Sequence, residues 1–460
     1  MNPILLIDFG STFTKVTAVD LDSETVIGAA AGFTTMQTDI NKGLENALGL
    51  LQKNGPIDFK ERYACSSAAG GLRMAACGLV PELTAEAAKM ASLGAGARVI
   101  KVYSYKLTNS DIREIDGQKP DIFLLTGGTD GGDTGYILHN AKMLSGCAYD
   151  FPIILAGNRS CADECLTLLK NREVFHVSNV MPAFGEIDIA PAQEKIREIF
   201  LRQIVFAKGL GKAEKLVSGI LMPTPAAMLD AMTLLQKGHG SEGGIGELMC
   251  VDLGGATTDV YSVAQGAPQR ANTIIKGLPE PFAKRSVEGD IGMRHSIRGI
   301  VEAIGEALIS ELSGLTREKI AETTDILAKQ TEKLPDSPEL LRLDFALAAA
   351  AVRIGIERHA GKIERVFTPS GEAFVQSGKD LRNIKKMIVT GGALIHAESP
   401  GEIVRTALAV ENPLSLKPRH VSVLADKKYI LAAMGLLSQR YPEPAIRIMK
   451  KELMEYGASK

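Results

Sequence analysis

Two short segments carry residue types suited to holding phosphate beside a divalent cation. The first, Asp8-Phe-Gly-Ser-Thr12, follows the apolar run Ile4–Ile7. The second, Asp252-Leu-Gly-Gly-Ala-Thr-Thr-Asp259, follows Met249-Cys-Val251. A turn rich in Gly and Ser or Thr aims several backbone N–H groups at one anion; Gly admits close approach and hydroxyls add donors. An aspartate heading such a turn repels phosphate unless Mg²⁺, or water bound to it, stands between them. Gly10, Ser11, Thr12, Gly254, Gly255, Thr257 and Thr258 are therefore candidate phosphate contacts, and Asp8 and Asp252 candidate Mg²⁺ ligands. A single Asp-x-Gly-x-Thr also makes ordinary hairpins, so the weight rests on there being two. Lys15 is a weaker candidate, since it fits a solvent-facing strand position equally well. The chain has no Walker A pattern and no Gly-x-Gly-x-x-Gly in a strand-to-helix setting, which removes the main support for P-loop and dinucleotide readings.

The elements that must position these residues follow from alternation. Thr14, Val16 and Ala18 alternate with polar neighbours after the first turn, and Val260-Tyr-Ser-Val263 follows the second, so each segment reads as strand, tight turn, strand. Asp8 and Asp252 lie 244 residues apart, half the chain and too long for a solenoid period. A second pair of marks has a similar offset: Ile122-Phe-Leu-Leu125 runs into Thr126-Gly-Gly128, and Met387-Ile-Val389 into Thr390-Gly-Gly392. We read these as matching strand ends. The expectation is two related α/β lobes, residues 1–240 and 241–460, around a nucleotide cleft, parted in the Gly-rich Lys237–Gly246. The first half alternates strands and helices from Lys60 to Asn179. The second carries a helical insertion over about 294–362, broken by a loop at Lys333–Pro338 with a helix N-cap beyond it, and stopped at Gly361.

Composition excludes several classes. At 460 residues, two substantial cores are expected, and 45% apolar with 23% charged residues argues against wholesale disorder. A formal charge of −2 leaves no footprint for nucleic acid or an anionic membrane. The absence of Trp and an aromatic share of 5% argue against a base-stacking platform. No run reaches the roughly 18 apolar residues that span a bilayer. The segment MNPILLIDFG reads as a strand, with no basic leader and no cleavage site, so a cytoplasmic location is expected. Cys161 and Cys165 fit one helix face, but no second Cys or His pair stands nearby to complete a zinc site.

The two hairpins resemble the phosphate loops of the actin/Hsp70/sugar-kinase superfamily, whose duplicated lobes are RNase H-like. Val389-Thr-Gly-Gly392 resembles its adenosine-contacting strand end, which implies Gly391 and Gly392 as adenosine supports. Pro223-Thr-Pro-Ala-Ala-Met228 resembles its first hinge helix but lacks the acidic residue found there. Hydrolysis is therefore expected to be slow, and another carboxylate must substitute. Asp259, nearest the hairpin, is the first choice, ahead of Asp130 and Asp133. A closer resemblance rests on Cys65-Ser-Ser-Ala-Ala-Gly-Gly-Leu-Arg-Met74, Leu124–Asp133, Ala156-Gly-Asn158 and Arg285–Arg294. These blocks are similar to those of the MutL/GlmL family, which is distinct from the mismatch-repair protein sharing its name. That resemblance implies an ATP- and Mg²⁺-dependent, chaperone-like role beside an adenosylcobalamin-dependent mutase or its cobalamin-binding subunit, with no nucleic-acid or membrane partner. A metabolite kinase and an actin-like scaffold are the alternatives. The plainer reading of Arg285–Asp290 is a salt-bridge loop between lobes.

Overall fold

The computed structural model describes residues 1–10, 13–33, 40–53, 55–67, 72–207, 221–369 and 371–456. The chain divides into two compact units. One comprises Met1–Ala231, Gly277–Pro281 and Leu431–Ile448; the other comprises Met232–Lys276, Phe282–Ile430 and Met449–Lys460.

In the first unit, β1 (Pro3–Phe9) and β2 (Phe13–Asp20) form an antiparallel hairpin that β3 (Thr25–Phe33) extends. β1 is central and covered on both faces, which is why Ile4, Leu5, Leu6 and Ile7 run without alternation. The helix α1 (Ile40–Leu51) packs on β2 and β3. β4 (Glu61–Ser66) lies parallel to β1. The chain then leaves this sheet through β5 (Arg73–Gly78), α2 (Glu86–Gly94), β6 (Arg98–Ser104), α3 (Asn109–Gln118), β7 (Ile122–Leu125), α4 (Gly135–Ser145), β8 (Ile153–Leu155), α5 (Ala162–Leu168), β9 (Val174–His176) and α6 (Ala190–Ala207). It returns as β10 (Leu221–Pro223), parallel to β4, and continues into α7 (Thr224–Lys237). The sheet order is β10-β4-β1-β2-β3.

The second unit repeats the plan. After a short ribbon of β11 (Gly238–His239) and β12 (Glu242–Gly243), β13 (Leu248–Leu253) and β14 (Thr258–Val263) form the hairpin. A small side sheet is built from β15 (Thr273–Lys276), β17 (Lys362–Thr368) and β18 (Gly371–Ser377). β16 (Ala283–Glu288) extends the hairpin, while β19 (Lys386–Thr390) and β20 (Ser422–Ala425) lie parallel on its other side, with β21 (Met454–Tyr456) at the edge. The order is β16-β14-β13-β19-β20-β21. Counted in chain order within each of these two sheets, the first five strands run 3-2-1-4-5 with the same directions in both. This is the RNase H-like plan, present twice.

One expectation is corrected here. The strand that matches β19 by position is β4, not β7, because Asp252 pairs with Thr390 as Asp8 pairs with Cys65. β7 belongs to a separate all-parallel sheet of order β6-β5-β7-β8-β9. A Gly pair suits any tight turn from a parallel strand toward a helix, so that mark alone does not establish equivalence. The inserted sheet is doubly wound. Met74, Ala76, Ile122, Leu124 and Ile154 share a core with α2 and α6, while Ala75, Cys77, Phe123, Leu125 and Ile153 face α3, α4 and α5.

The expected helical stretch is present as α8 (Ile297–Ile304), α9 (Glu306–Ser313), α10 (Arg317–Lys329) and α11 (Pro338–His359). Ser337 caps α11 by accepting from the Leu340 N–H at 3.3 Å, and Pro338 opens its first turn. These helices share one core with Met249, Val251, Leu253 and Val260, so they cover the sheet of the second unit. The helices α12 (Gly392–Ile395) and α13 (Pro400–Ala409) separate β19 from β20, and α14 (Leu431–Ser438) and α15 (Pro442–Glu452) follow. No described helix is long and apolar enough to cross a membrane.

Candidate functional site

Each sheet carries its hairpin aspartate at the end of its central strand. In the first unit, Asp8 stands level with Lys15 on β2, Cys65 on β4 and, one strand further, Met222 on β10. The Thr224 hydroxyl, at the first position of α7, donates to Asp8 Oδ1 at 2.6 Å. The hinge-like run Pro223–Met228 is thus brought to the hairpin aspartate, with a hydroxyl rather than a carboxylate at the contact. Gly10 N–H donates to the carbonyls of Asp8 and Phe13, each at 3.1 Å, which sets the turn. Ser11 and Thr12 lie outside the described residues, as do Ala68–Gly71 of the Cys65 block. Cys65 is buried beneath Asp8, and burial followed by the Asp8 charge pushes its thiol pKa well up, so it stays protonated.

The second unit places Asp259 on β14, Asp252 on β13 and Thr390 on β19 at one level, and Asp426 follows directly after β20. Asp426, buried, accepts from the Thr390 hydroxyl at 3.3 Å and from the Ile430 N–H at 2.8 Å. Sequence reasoning passed over Asp426. Its signal is the same as at Asp8 and Asp252: an apolar strand ending in an aspartate. Asp259 is engaged by Arg285, whose Nε donates at 2.8 Å; both side chains are largely buried. Burial pulls the Arg285 guanidinium down, but Asp259 and Tyr261 together outweigh it and hold its pKa above the usual value. Burial, then the charges of Asp252, Asp426 and Asp259, push the Cys250 thiol well up.

The turn itself is buttressed from behind. The N–H groups of Met293, Arg294 and His295 donate to the carbonyls of Gly254 and Gly255 at 3.1, 2.9 and 2.8 Å. Arg294 then clamps Asp344 through two hydrogen bonds of 3.2 and 2.8 Å, and Arg358 pairs with Glu288 and Asp290. The Arg285–Arg294 block therefore supports the second hairpin, and these ion pairs lie within the second unit instead of joining two lobes. Gly254 N–H is used by the Thr257 carbonyl at 3.0 Å. Among the described residues, the N–H groups of Gly255, Ala256 and Thr257 have no backbone acceptor. Thr258 is buried and spends its hydroxyl on the Ile291 carbonyl at 3.0 Å.

Gly391, at φ 90°, lies so close to β13 that a Cβ there would sit 2.3 Å from the Leu253 carbonyl oxygen. The start of α12 is thereby held against the hairpin strand, and the Tyr429 hydroxyl lies over Gly392. In the first unit, α14 crosses α7 at a similar distance: a Cβ on Gly435 would lie 1.8 Å from the Ala227 carbonyl oxygen.

A twice-repeated RNase H-like sheet with an aspartate-headed Gly turn in each copy defines the actin/Hsp70/sugar-kinase class of fold. The sequence model of the MutL protein family matches residues 4–453, and the chain belongs to that family, which is not the mismatch-repair protein of the same name. It is 46% identical over 461 residues to Protein MutL of Clostridium tetanomorphum, covering 99% of this chain and 100% of that one. Among solved structures it is similar to the gluconate kinase of Lactobacillus acidophilus (TM-score 0.38, 9% identity, 99% and 93% covered). It is also similar to the activator of the 2-hydroxyisocaproyl-CoA dehydratase from Clostridium difficile with bound ADPNP (TM-score 0.35, 8% identity, 99% and 100% covered).

Proposed function

We propose that this chain binds Mg²⁺-ATP through the hairpins of both units. We further propose that it serves as a chaperone-like accessory or reactivating protein for an adenosylcobalamin-dependent mutase of the glutamate mutase or ornithine aminomutase type. The observation that carries the nucleotide reading is the recurrence, in both sheets, of an aspartate ending the central strand ahead of a Gly turn. In the second copy that turn keeps three backbone N–H groups without a backbone acceptor among the described residues. The donor set fits the ligand: hard carboxylate oxygens for Mg²⁺ and amide donors for phosphate.

Asp8 and Asp252 would hold the cation, and Ser11, Thr12, Gly255 and Thr257 would meet the phosphates on turns shaped by Gly10 and Gly254; Thr258, expected among these contacts, is buried with its hydroxyl on Ile291 and is withdrawn from them. Gly391 and Gly392 would seat adenosine. Bound Mg²⁺ would supply charge neutralisation at the phosphates. Thr224 fixes the Asp8 carboxylate through its hydroxyl. Asp259 is the carboxylate left to orient water. Its side chain is held by Arg285, which leaves it little freedom to reposition, and this is consistent with slow hydrolysis.

The mutase role rests on the family. A nucleotide switch acts on a partner only if its two nucleotide states bind that partner with different affinity. Titration of the cognate mutase against this protein should therefore give different dissociation constants with ADP and with ATP. Equal constants would overturn the switch.

A further inference from the structure

The inserted sheet of the first unit has features that the hairpin reading does not use. Counted from β5, its strands run 2-1-3-4-5, all parallel. Open sheets of this kind take ligands outside the carboxyl ends of their strands. At that edge lie the Gly-rich segment after β7, the Ala156-Gly-Asn158 segment after β8 and the loop after β9. Two buried asparagines knit these loops together. Asn158 Oδ1 accepts from the N–H groups of Gly131 and Ser160, and its Nδ2 donates to the carbonyls of Gly132 and Asp133. Asn179 Nδ2 donates to the Gly128 carbonyl and to Asp130 Oδ1, each at 3.0 Å. The edge is thus preorganised by groups whose own hydrogen-bonding capacity is spent.

Beside it is a cavity of about 570 Å³, lined by Asp130, Arg159, His176, Ser178, Asn179 and Asp188 among others. This is an ordinary size for a small-molecule site. The Asp130 carboxylate is fixed by Asn179 and by the Arg159 N–H at 3.0 Å. The Arg159 guanidinium stands 3.8 Å from it and is 80% exposed, so it is only loosely held. Among the described residues, the side chains of His176, Ser178 and Asp188 carry no hydrogen bond or ion pair. Two carboxylates disfavour a phosphate ligand, and no group of three metal-ligating side chains converges among the described residues. A neutral ligand makes no use of the charges that Arg159 and Asp188 present there. A molecule carrying both an ammonium and a carboxylate pairs with each sign at once.

We infer that the carboxyl edge of the inserted sheet is a second binding site, for a small zwitterion of the α-amino acid class, with Asp188 and Asp130 facing its ammonium and Arg159 its carboxylate. This site is independent of the nucleotide reading. Isothermal titration of the intact chain with glycine, glutamate and ornithine, and with methylammonium and acetate as single-charge controls, tests it. At least one of the three amino acids should bind, and neither control should. Arg159→Ala and Asp188→Asn, both at exposed positions, should each weaken that binding about tenfold or more while Mg²⁺-ATP binding is unchanged. The inference is overturned if none of the three amino acids binds, if acetate or methylammonium binds equally well, or if both variants bind as the wild type does.

Discussion

Asp259 serves the hairpin and the core at once. Its carboxylate meets the Arg285 guanidinium where both side chains are nearly closed to water, so removing its charge strands a buried cation. Asp259→Asn is expected to destabilise the protein by about 3 kcal/mol in urea unfolding, and Asp259→Asn/Arg285→Met to recover much of that loss. An Asp259→Asn protein as stable as the wild type would show that this pair contributes nothing. Asp8, Asp252 and Asp259 were legible in the sequence because each sits beside a Gly turn at a strand end. Their partners were not. Thr224 meets Asp8 across 216 residues and Arg285 meets Asp259 across 26, and local pattern carries no record of such pairing.

His359 shows how a helix is fixed to a sheet. It ends α11, is fully buried, and its ring nitrogens lie 2.7 Å from the Ser286 hydroxyl on β16 and 2.8 Å from the Ser262 hydroxyl on β14. Burial, then Lys284 and Lys379, hold its pKa well below the usual histidine value, so the folded state keeps it neutral. A depressed folded pKa gives stability that is fully present above the unfolded value near 6.5 and lost as pH falls below it. The urea midpoint should accordingly drop between about pH 7 and 5, and His359→Gln should flatten that part of the profile. An unchanged slope in the variant would assign the acid loss elsewhere. At this scale the sequence conveyed the hairpins, the helical stretch and the loop that breaks it near Pro338, because period and turn chemistry are local. It misled over β7, since a Gly pair suits any tight turn from a parallel strand toward a helix and carries no record of which sheet the strand joins.

The duplication organises the whole molecule. Two sheets of the same order each offer an aspartate and a Gly turn, and the first also carries a doubly wound insertion between its fourth and fifth strands. The repeated hairpin was readable from the spacing of the aspartates. The insertion was readable as alternating strands and helices but not as a sheet of its own, because strand order is not written in strand sequence. The most direct test of the nucleotide reading is the melting temperature of the wild type and of Asp252→Ala, each with and without Mg²⁺-ATP. At a hundredfold excess over Kd, the wild type should gain about 2.7 kcal/mol, seen as a raised melting temperature. Asp252→Ala should melt nearly as the free wild type does and gain nothing. A wild type that Mg²⁺-ATP never stabilises, or an Asp252→Ala protein stabilised to the same extent, would contradict the assignment.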